Sequence, residues 1–442
     1  MKKVLIANRG EIAVRIIRAC RELNLRTVAI YSVADKTALH VQLADEAICV
    51  GAADPQKSYL NINNIVAAAV TTGADAVHPG YGFLSENADF AKSCEEQGLT
   101  FIGPAAKVIA QMGDKAAARE IMQAADVPVI PGSPGGFTEQ KVGLRLAADV
   151  GYPVMLKAAA GGGGKGMRVI ESAKQFNHDF QLAQSEAEKS FANGEMYLEK
   201  YIDRPRHIEV QIIGDEKGHV LVLGERDCSL QQHHQKMIEE APSDVLDEAT
   251  RQQMYATSVN AAKTIHYVGA GTIEFLYAGP GQFYFMEMNT RVQVEHPITE
   301  LITNQDIVAL QLKVAAGEEL PEKQAAVHGH ALECRVNAQT PGKITGLHLP
   351  GGNGVRVDTA LYQGYEVPPD YDAMIAKIIV YASDRPTAVA KMKVAIEETV
   401  ISGIQTNLDF LDELLNAPAY TADDINITFI DDFVAAKVGS NA

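Results

Sequence analysis

The densest chemical signal in the sequence is the run Gly161, Gly162, Gly163, Gly164, Lys165 and Gly166, set between VMLKAAA and MRVI. Both flanks read as strands, so the run is expected at a hairpin tip. A P-loop requires a Ser or Thr after the lysine and then a helix, whereas Gly166, Met167 and a strand follow here. Consecutive glycines bring backbone N–H groups close to phosphate oxygens and tolerate positive φ, at an ordering cost that leaves the loop open until a ligand holds it. A ligand-free turn needs only two residues, and the nearby Lys157 and Lys165 favour phosphate.

Three further constellations carry chemistry. Glu274 lies in GTIEF and Glu287 in FMEMNTR, two residues before Asn289. On a strand Glu287 and Asn289 share a face, and two carboxylates with an amide oxygen suit a hard cation such as Mg²⁺ bridging nucleotide phosphates. NTRVQVEHPITE, read as a strand ended by His296 and Pro297, sets Arg291, Gln293 and Glu295 on one face. That face fits a small anion with a general base beside it, or equally a simple Arg–Glu pair. LQQHHQKMIEEAP contains His233, His234, Gln235 and Lys236. Adjacent histidines cannot share a face and no spaced ligand pair accompanies them, which disfavours zinc and leaves Lys236 as the catalytic candidate.

The elements that must position these groups fall into three regions. KKVLIA, GEIAVRIIRACRELN and RTVAIYS form a βαβ unit, and the alternation continues through AICV, ADAVHPG and LTFIG, which predicts a parallel doubly wound sheet. Its first βα turn, ANRGE, has one glycine where a dinucleotide fingerprint needs three, which disfavours hydride chemistry. A helix over 113–125 leads into VPVIPGSPGGF, a Pro- and Gly-punctuated boundary. After Arg204, HIEVQIIG, GHVLVLGERDCS, GAGTIEFLYAG and QFYFMEMN alternate like antiparallel strands, and helix–strand patterning returns over the last 60 residues or so. The expected division is 1–113, 114–203 and 204–442.

Composition narrows the function. The 442 residues are 47% hydrophobic, enough for about three domains. A net charge of −17 disfavours binding to a nucleic-acid backbone. The 5 cysteines form no CxxC pair, and Cys20, Cys49 and Cys334 sit among apolar neighbours as expected of core side chains in a reducing compartment. The start is too short in apolar residues for a signal segment and no stretch reads as a membrane span, so a cytoplasmic protein is expected.

In this order ANRGEIAVRIIRACRELN, HPGYGFLSEN, GPAAKVIAQMGDK, KAAAGGGGKGMRV, EKYIDRPRHIEVQI, GERDCS, EMNTRVQVEHPITE and ECRVNA resemble the biotin carboxylase family. The resemblance implies an ATP-grasp fold of mixed α/β and α+β class, with a Rossmann-like N-terminal domain, a flexible β-rich flap domain and a C-terminal antiparallel-sheet domain. It implies that Lys115, Lys157 and the glycine loop contact ATP phosphates, that Glu199, Lys200 and Ile202 line the adenine site, and that His207, Gln231, His234 and Gln235 sit near the nucleotide. Glu274, Glu287 and Asn289 would hold Mg²⁺ or Mn²⁺. Lys236, Arg291, Gln293 and the Val294 backbone would bind bicarbonate, Glu295 would be the general base, and Arg335 would steady the biotin enolate.

Two departures from the family stand out. Gln232 and His233 replace paired arginines, and Ala338-Gln339-Thr340 runs straight into Pro341-Gly342-Lys343, about eight residues shorter than usual. The shortening begins three residues after Arg335 and bears on where that side chain sits. The chain also lacks the Met-Lys-Met biotinylation tripeptide. The resemblance therefore implies biotin supplied on a biotin carboxyl carrier protein, separate carboxyltransferase subunits as in acetyl-CoA carboxylase, and a homodimer. Competing readings are another bicarbonate-using ATP-grasp ligase and a nucleotide-binding subunit that has lost catalysis.

Overall fold

The computed structural model describes residues 1–159, 167–191, 193–233, 235–321 and 324–440. The chain packs as two compact units, one of 1–127, 206–283 and 287–442, the other of 128–205 and 284–286.

The first unit opens with a five-stranded parallel sheet: β1 (Lys3–Ile6), β2 (Arg26–Ser32), β3 (Glu46–Gly51), β4 (Ala76–His78) and β5 (Thr100–Phe101), in the order β3-β2-β1-β4-β5. Its central strands are apolar on both faces because helices cover both. Val4 and Ile6 pack with Ile12, Ile16 and Cys20 of the helix Gly10–Glu22, whereas Leu5, Val28 and Ile30 pack with Ile65, Ala69 and Phe90 of Ile62–Thr72 and Ala88–Glu96. Those last two helices are capped by Asn61 and Asn87, whose side chains accept from the Asn64 and Phe90 backbone N–H groups. The turn after β4 needs Gly80, since a Cβ there would lie 2.8 Å from Asn8 Nδ2, which donates to Pro79 and Tyr81 carbonyls at 2.7 Å. Cys49, expected in the core, is exposed on β3, where alternate residues face outward on this edge strand.

The second unit is built on β6 (Val154–Ala158), β7 (Arg168–Ile170) and β8 (Met196–Lys200), ordered β7-β6-β8 and antiparallel. The helices Gln140–Val150 and Ala173–Phe191 supply its core, in which Phe176 and Phe180 pack against Val154, Leu156 and Leu198. The β6–β7 pairing is the expected hairpin, although Gly161 to Gly166 themselves lie outside the described residues.

The remaining strands, which belong to the first unit except for 284–286 of β13, are β9 (Arg206–Gly214), β10 (Val220–Gln232), β11 (Gln235–Ala241), β12 (Gly269–Gly279), β13 (Gln282–Asn289), β14 (His330–Asn337), the short β15 (Gly342–Lys343) and β16 (Gly346–His348), β17 (Val355–Thr359), β18 (Glu366–Val367), β19 (Met374–Ala382) and β20 (Val400–Ser402). Eight of these form one sheet in the order β13-β12-β9-β10-β11-β14-β19-β17. Period-two alternation predicts one wet face, yet every residue of β9 is buried. The polar face of this sheet is lined with charged groups under cover, so the alternation marks a site rather than solvent.

The shortened segment is held at both ends. Ala338 N–H donates to Ala373 O and Gln339 N–H to Gln405 O, each at 2.8 Å, and Thr340 Oγ1 accepts from Gln405 N–H at 3.0 Å. Residues 290–295 are not a strand, because β13 ends at Asn289 and a helix begins at His296 with Pro297 in its first turn and Glu295 at the N-cap. Proline fits that first turn because its missing N–H would have no helical partner.

Candidate functional site

The register of the large sheet assembles the site. Glu209 on β9 lies opposite Arg226 on β10 and Glu274 on β12, and Lys236 on β11 lies opposite Gln231 on β10. Lys236 Nζ reaches Glu209 Oε2 at 2.5 Å, Glu295 Oε1 at 2.7 Å and Glu274 Oε1 at 3.0 Å, and all three glutamates are buried. Burial works against the lysine charge, but these carboxylates hold its pKa well above the ordinary value. Arg226, fully buried, bonds Glu209 and also donates to Gln211 and Thr299 at 2.8 Å.

Glu295 is fixed by two cations. Besides Lys236, it accepts from Arg335 Nη2 at 3.0 Å, and Arg335 is anchored from behind by Glu239 Oε1 at 2.6 Å from Nε and 2.5 Å from Nη2. Burial would raise the Glu295 pKa, yet Lys236, Arg335 and Arg226 together hold it well below the carboxylate range. Glu295 is therefore ionised and strongly held, and its basicity grows when either cation turns away. The shortened segment leaves Arg335 in this bridge.

Glu274 collects donors from several elements: Asn289 Nδ2 at 2.8 Å, Gln293 Nε2 at 3.0 Å and Lys236 on Oε1, while His207 Nε2 lies 2.9 Å from Oε2. Burial opposes ionisation, but Lys236 and His207 pull its pKa strongly down. Gln231 Nε2 lies 2.7 Å from His207 Nδ1 and donates to Cys228 O at 2.8 Å. Glu287, on the strand next to Glu274, is partly exposed with Lys115 Nζ 3.6 Å away. Two carboxylates and the Asn289 amide on neighbouring strands are an oxygen set that suits Mg²⁺. His207, Glu209 and Glu274 offer another close set of ligand atoms, all within 4.8 Å of one another, but Lys236 is bonded to both of its carboxylates.

Arg291 donates to Glu86 Oε2 at 2.8 Å and to Gln293 Oε1 and Asn289 Oδ1 at 2.9 Å. Its carboxylate partner is Glu86, not Glu295, so the simple Arg291–Glu295 pair is not formed. The Val294 carbonyl accepts from Lys377 Nζ at 2.8 Å. Gln235 is exposed at the start of β11, and His234 lies outside the described residues. In the smaller unit Lys157 pairs with Glu199, Lys200 Nζ donates to Gly151 and Tyr152 carbonyls at 2.8 and 2.9 Å, and Ile202 is half-buried just past β8.

Sequence reasoning passed over Glu209, Arg226, Glu239, Glu333 and Lys377. The signal was present, since His207, Glu209 and Gln211 alternate with Ile208, Val210 and Ile212, and Glu333 and Arg335 alternate with Leu332, Cys334 and Val336. Lys377 stands in an apolar run, fully buried, 3.0 Å from Glu11 Oε1.

Family models match along the chain: the biotin carboxylase N-terminal domain over 1–109, the carbamoyl-phosphate synthase L chain ATP-binding domain over 114–323, and the biotin carboxylase C-terminal domain over 333–432. A biotin carboxylase from Bacillus subtilis is 52% identical over 444 residues, covering 98% of this chain and 99% of that one. The chain belongs to the biotin carboxylase family. Among solved structures, the Campylobacter jejuni biotin carboxylase in complex with β,γ-ATP has a TM-score of 0.90 at 48% identity, covering 98% of both chains. The biotin carboxylase domain of a thermophilic 2-oxoglutarate carboxylase bound to bicarbonate has a TM-score of 0.94 at 45% identity, again covering 98% of both. The ATP-grasp architecture expected of a biotin carboxylase is thus the fold of this chain, with the parallel sheet at its N-terminus and the antiparallel sheet bearing the charged site. No helix among the described residues is long and apolar enough to cross a membrane.

Proposed function

We propose that this biotin carboxylase uses ATP and bicarbonate to carboxylate biotin presented on a biotin carboxyl carrier protein, with Glu295 as base and Arg335 as the cation for the biotin enolate. The observation that carries the reading is the Glu295–Arg335 ion pair beside Lys236, a buried base held by cations that a substrate can engage.

Bicarbonate oxygen attacks the γ-phosphorus of ATP, releasing ADP and giving carboxyphosphate, which breaks into CO₂ and phosphate. Arg291, Lys236, Gln293 and the Val294 backbone hold the anion. Glu295 accepts the proton that bicarbonate chemistry or the biotin ureido nitrogen releases, and the nitrogen then bonds to CO₂ while Arg335 faces the developing oxyanion. Glu274, Glu287 and Asn289 would hold Mg²⁺, which when bound neutralises phosphate charge. Lys115, His207, Gln231, His234 and Gln235 are proposed nucleotide contacts, as are Lys157, Glu199, Lys200, Ile202 and the glycine loop of the smaller unit.

The carboxyltransferase partners, a homodimeric state, a cytoplasmic location and acetyl-CoA as final acceptor belong to the same proposal. Related chains serve different carboxylases, so the acceptor is set by the partner rather than by this site. The test is ADP release by the purified chain with ATP, Mg²⁺ and bicarbonate, with and without free biotin. Stimulation by biotin with carboxybiotin formed supports the reading. Bicarbonate-dependent turnover indifferent to biotin would replace it with another ATP-grasp ligase, and no turnover with intact nucleotide binding would indicate a subunit that has lost catalysis.

A further inference from the structure

Two carboxyl groups behind Arg335 take no part in the chemistry above. Glu239 on β11 and Glu333 on β14 are direct register partners, and both are fully buried. Directly opposite residues on antiparallel strands have Cβ atoms about 4.5–5.5 Å apart, and like charges there repel. Glu239 Oε1 holds Arg335, but Glu239 Oε2 and both oxygens of Glu333 have no hydrogen-bond partner among the described residues.

The charged groups packed around this pair are committed elsewhere. Lys377 on β19 binds Glu11 and the Val294 carbonyl, Lys236 binds Glu209, Glu274 and Glu295, and Arg335 is shared between Glu239 and Glu295. The helix His296–Thr303 packs on β11, β14 and β19 and contributes Glu295 at its N-cap and His296, whose Nδ1 lies 2.8 Å from Gln293 O. Tyr81 and Glu11 are bonded to each other. An ionised Glu333 would therefore be a buried anion opposite another carboxylate with no donor of its own, an arrangement proteins avoid. Protonated, it becomes a donor, and the residue directly opposite it in the register, Glu239, carries an oxygen, Oε2, that accepts from no donor among the described residues. Burial pushes Glu333 well above the carboxylate range and raises Glu239 as well, in agreement with this geometry.

We propose that Glu239 and Glu333 share one proton and act as a positioning pair for Arg335, Glu239 being the carboxylate that orients the guanidinium and Glu333 the neutral acid that orients Glu239. The pair leaves Arg335 facing one charged carboxylate from behind rather than two, so its remaining charge is available to Glu295 and to the enolate. This consequence rests on the role proposed for Arg335, whereas the shared proton does not.

Glu333→Gln replaces a neutral acid by a neutral amide of the same shape, and Glu239→Gln removes the charge that aims Arg335. The infrared spectrum of the wild type should contain a protonated-carboxyl carbonyl band that Glu333→Gln lacks, and that variant should keep the wild-type melting temperature and both ADP-release rates. Glu239→Gln should lose about 100-fold in biotin-dependent ADP release, the scale of a misplaced catalytic group, with biotin-independent release little changed. Absence of the band, or a Glu333→Gln variant that loses stability and both rates together, would overturn the shared proton and make Glu333 an ionised structural partner of Lys377. Equal loss of both rates in Glu239→Gln would overturn the positioning role. A wild type that shows the band but ignores biotin would instead sink the assigned activity.

Discussion

Arg335→Ala separates the cation proposed to meet biotin from the machinery that cleaves ATP. The guanidinium bridges Glu239 and Glu295, both fully buried, and breaking a buried pair commonly costs about 3–5 kcal/mol because a charge is left without its partner. Here the cost should be smaller. Glu295 keeps Lys236 at 2.7 Å, and Glu239, already raised to about 7 by burial, takes up a proton once the arginine is gone. The stability loss should then approach that of an under-satisfied buried acceptor, about 1–3 kcal/mol. The rate effect should be larger and selective, since removing one donor to a developing oxyanion typically costs about 10²–10³ in kcat. ADP release measured at saturating ATP, Mg²⁺ and bicarbonate should fall by that factor with biotin present and change little without it. Glu295 also loses one of the cations that depress its pKa, so the acid limb of any remaining biotin-dependent activity should move to higher pH. Arg335→Lys restores charge without the planar fork and should fall between the two. Equal loss of both rates, accompanied by a lower melting temperature, would refute the catalytic assignment and leave Arg335 as a structural cation.

Three further outcomes are expected. Glu287→Gln should abolish Mg²⁺-dependent ATP cleavage while changing stability by no more than about 0.5 kcal/mol, because its side chain is partly exposed and pairs only loosely with Lys115; near-normal turnover would remove it from the metal set. Glu86→Gln should lower the KM for bicarbonate by up to about fivefold, the worth of a partly exposed ion pair, because Arg291, proposed to bind that anion, loses a charged competitor; an unchanged or higher KM would argue that Glu86 aims Arg291 instead. His40 and His78 are fully buried, and desolvation lowers them to about 4 and about 3. Unfolded imidazoles bind protons near pH 6.5 while these do not, so stability should be full above about pH 6.5 and fall towards pH 4 by up to about 1.4 kcal/mol per unit for each histidine, which thermal midpoints and a flatter slope in His40→Gln would check.

How far the sequence carries depends on the range of the interaction. The parallel sheet was legible because apolar strands and amphipathic helices are local patterns, each written within a dozen or so residues. Residues 290–295 misled because their polar–apolar alternation imitates a strand, while Pro297 with a polar residue just ahead is equally a helix start. Lys377 hid in an apolar run, where one lysine reads as an outward-facing side chain. The Glu239–Arg335 bond spans 96 positions and exists only because β11 and β14 are neighbours in the sheet, an order no local period encodes. The shortened segment concerned Arg335 by proximity in sequence, yet Arg335 is placed by its cross-strand partners on β11 and by Glu295, so its position is insulated from the loop.

Those partners also bear on when the base acts. Lys236, Arg291 and Arg335, the cations proposed to meet bicarbonate and biotin, already have acceptors, so binding there is an exchange of acceptors rather than the filling of a vacant charge. Lys236 is held by three buried carboxylates on β9, on β12 and at a helix N-cap, and cannot leave without exposing all of them. Arg291 is held by one carboxylate and two neutral amides, so it yields most easily to an arriving anion. Arg335 lies between these extremes, with Glu239 on one side and Glu295 on the other. When it turns from Glu295 to an enolate oxygen, Glu295 loses part of the field that suppresses its basicity at the moment a proton must be accepted. Under the proposed roles, the arrival of biotin itself strengthens the base, and this ties proton removal to the presence of the acceptor.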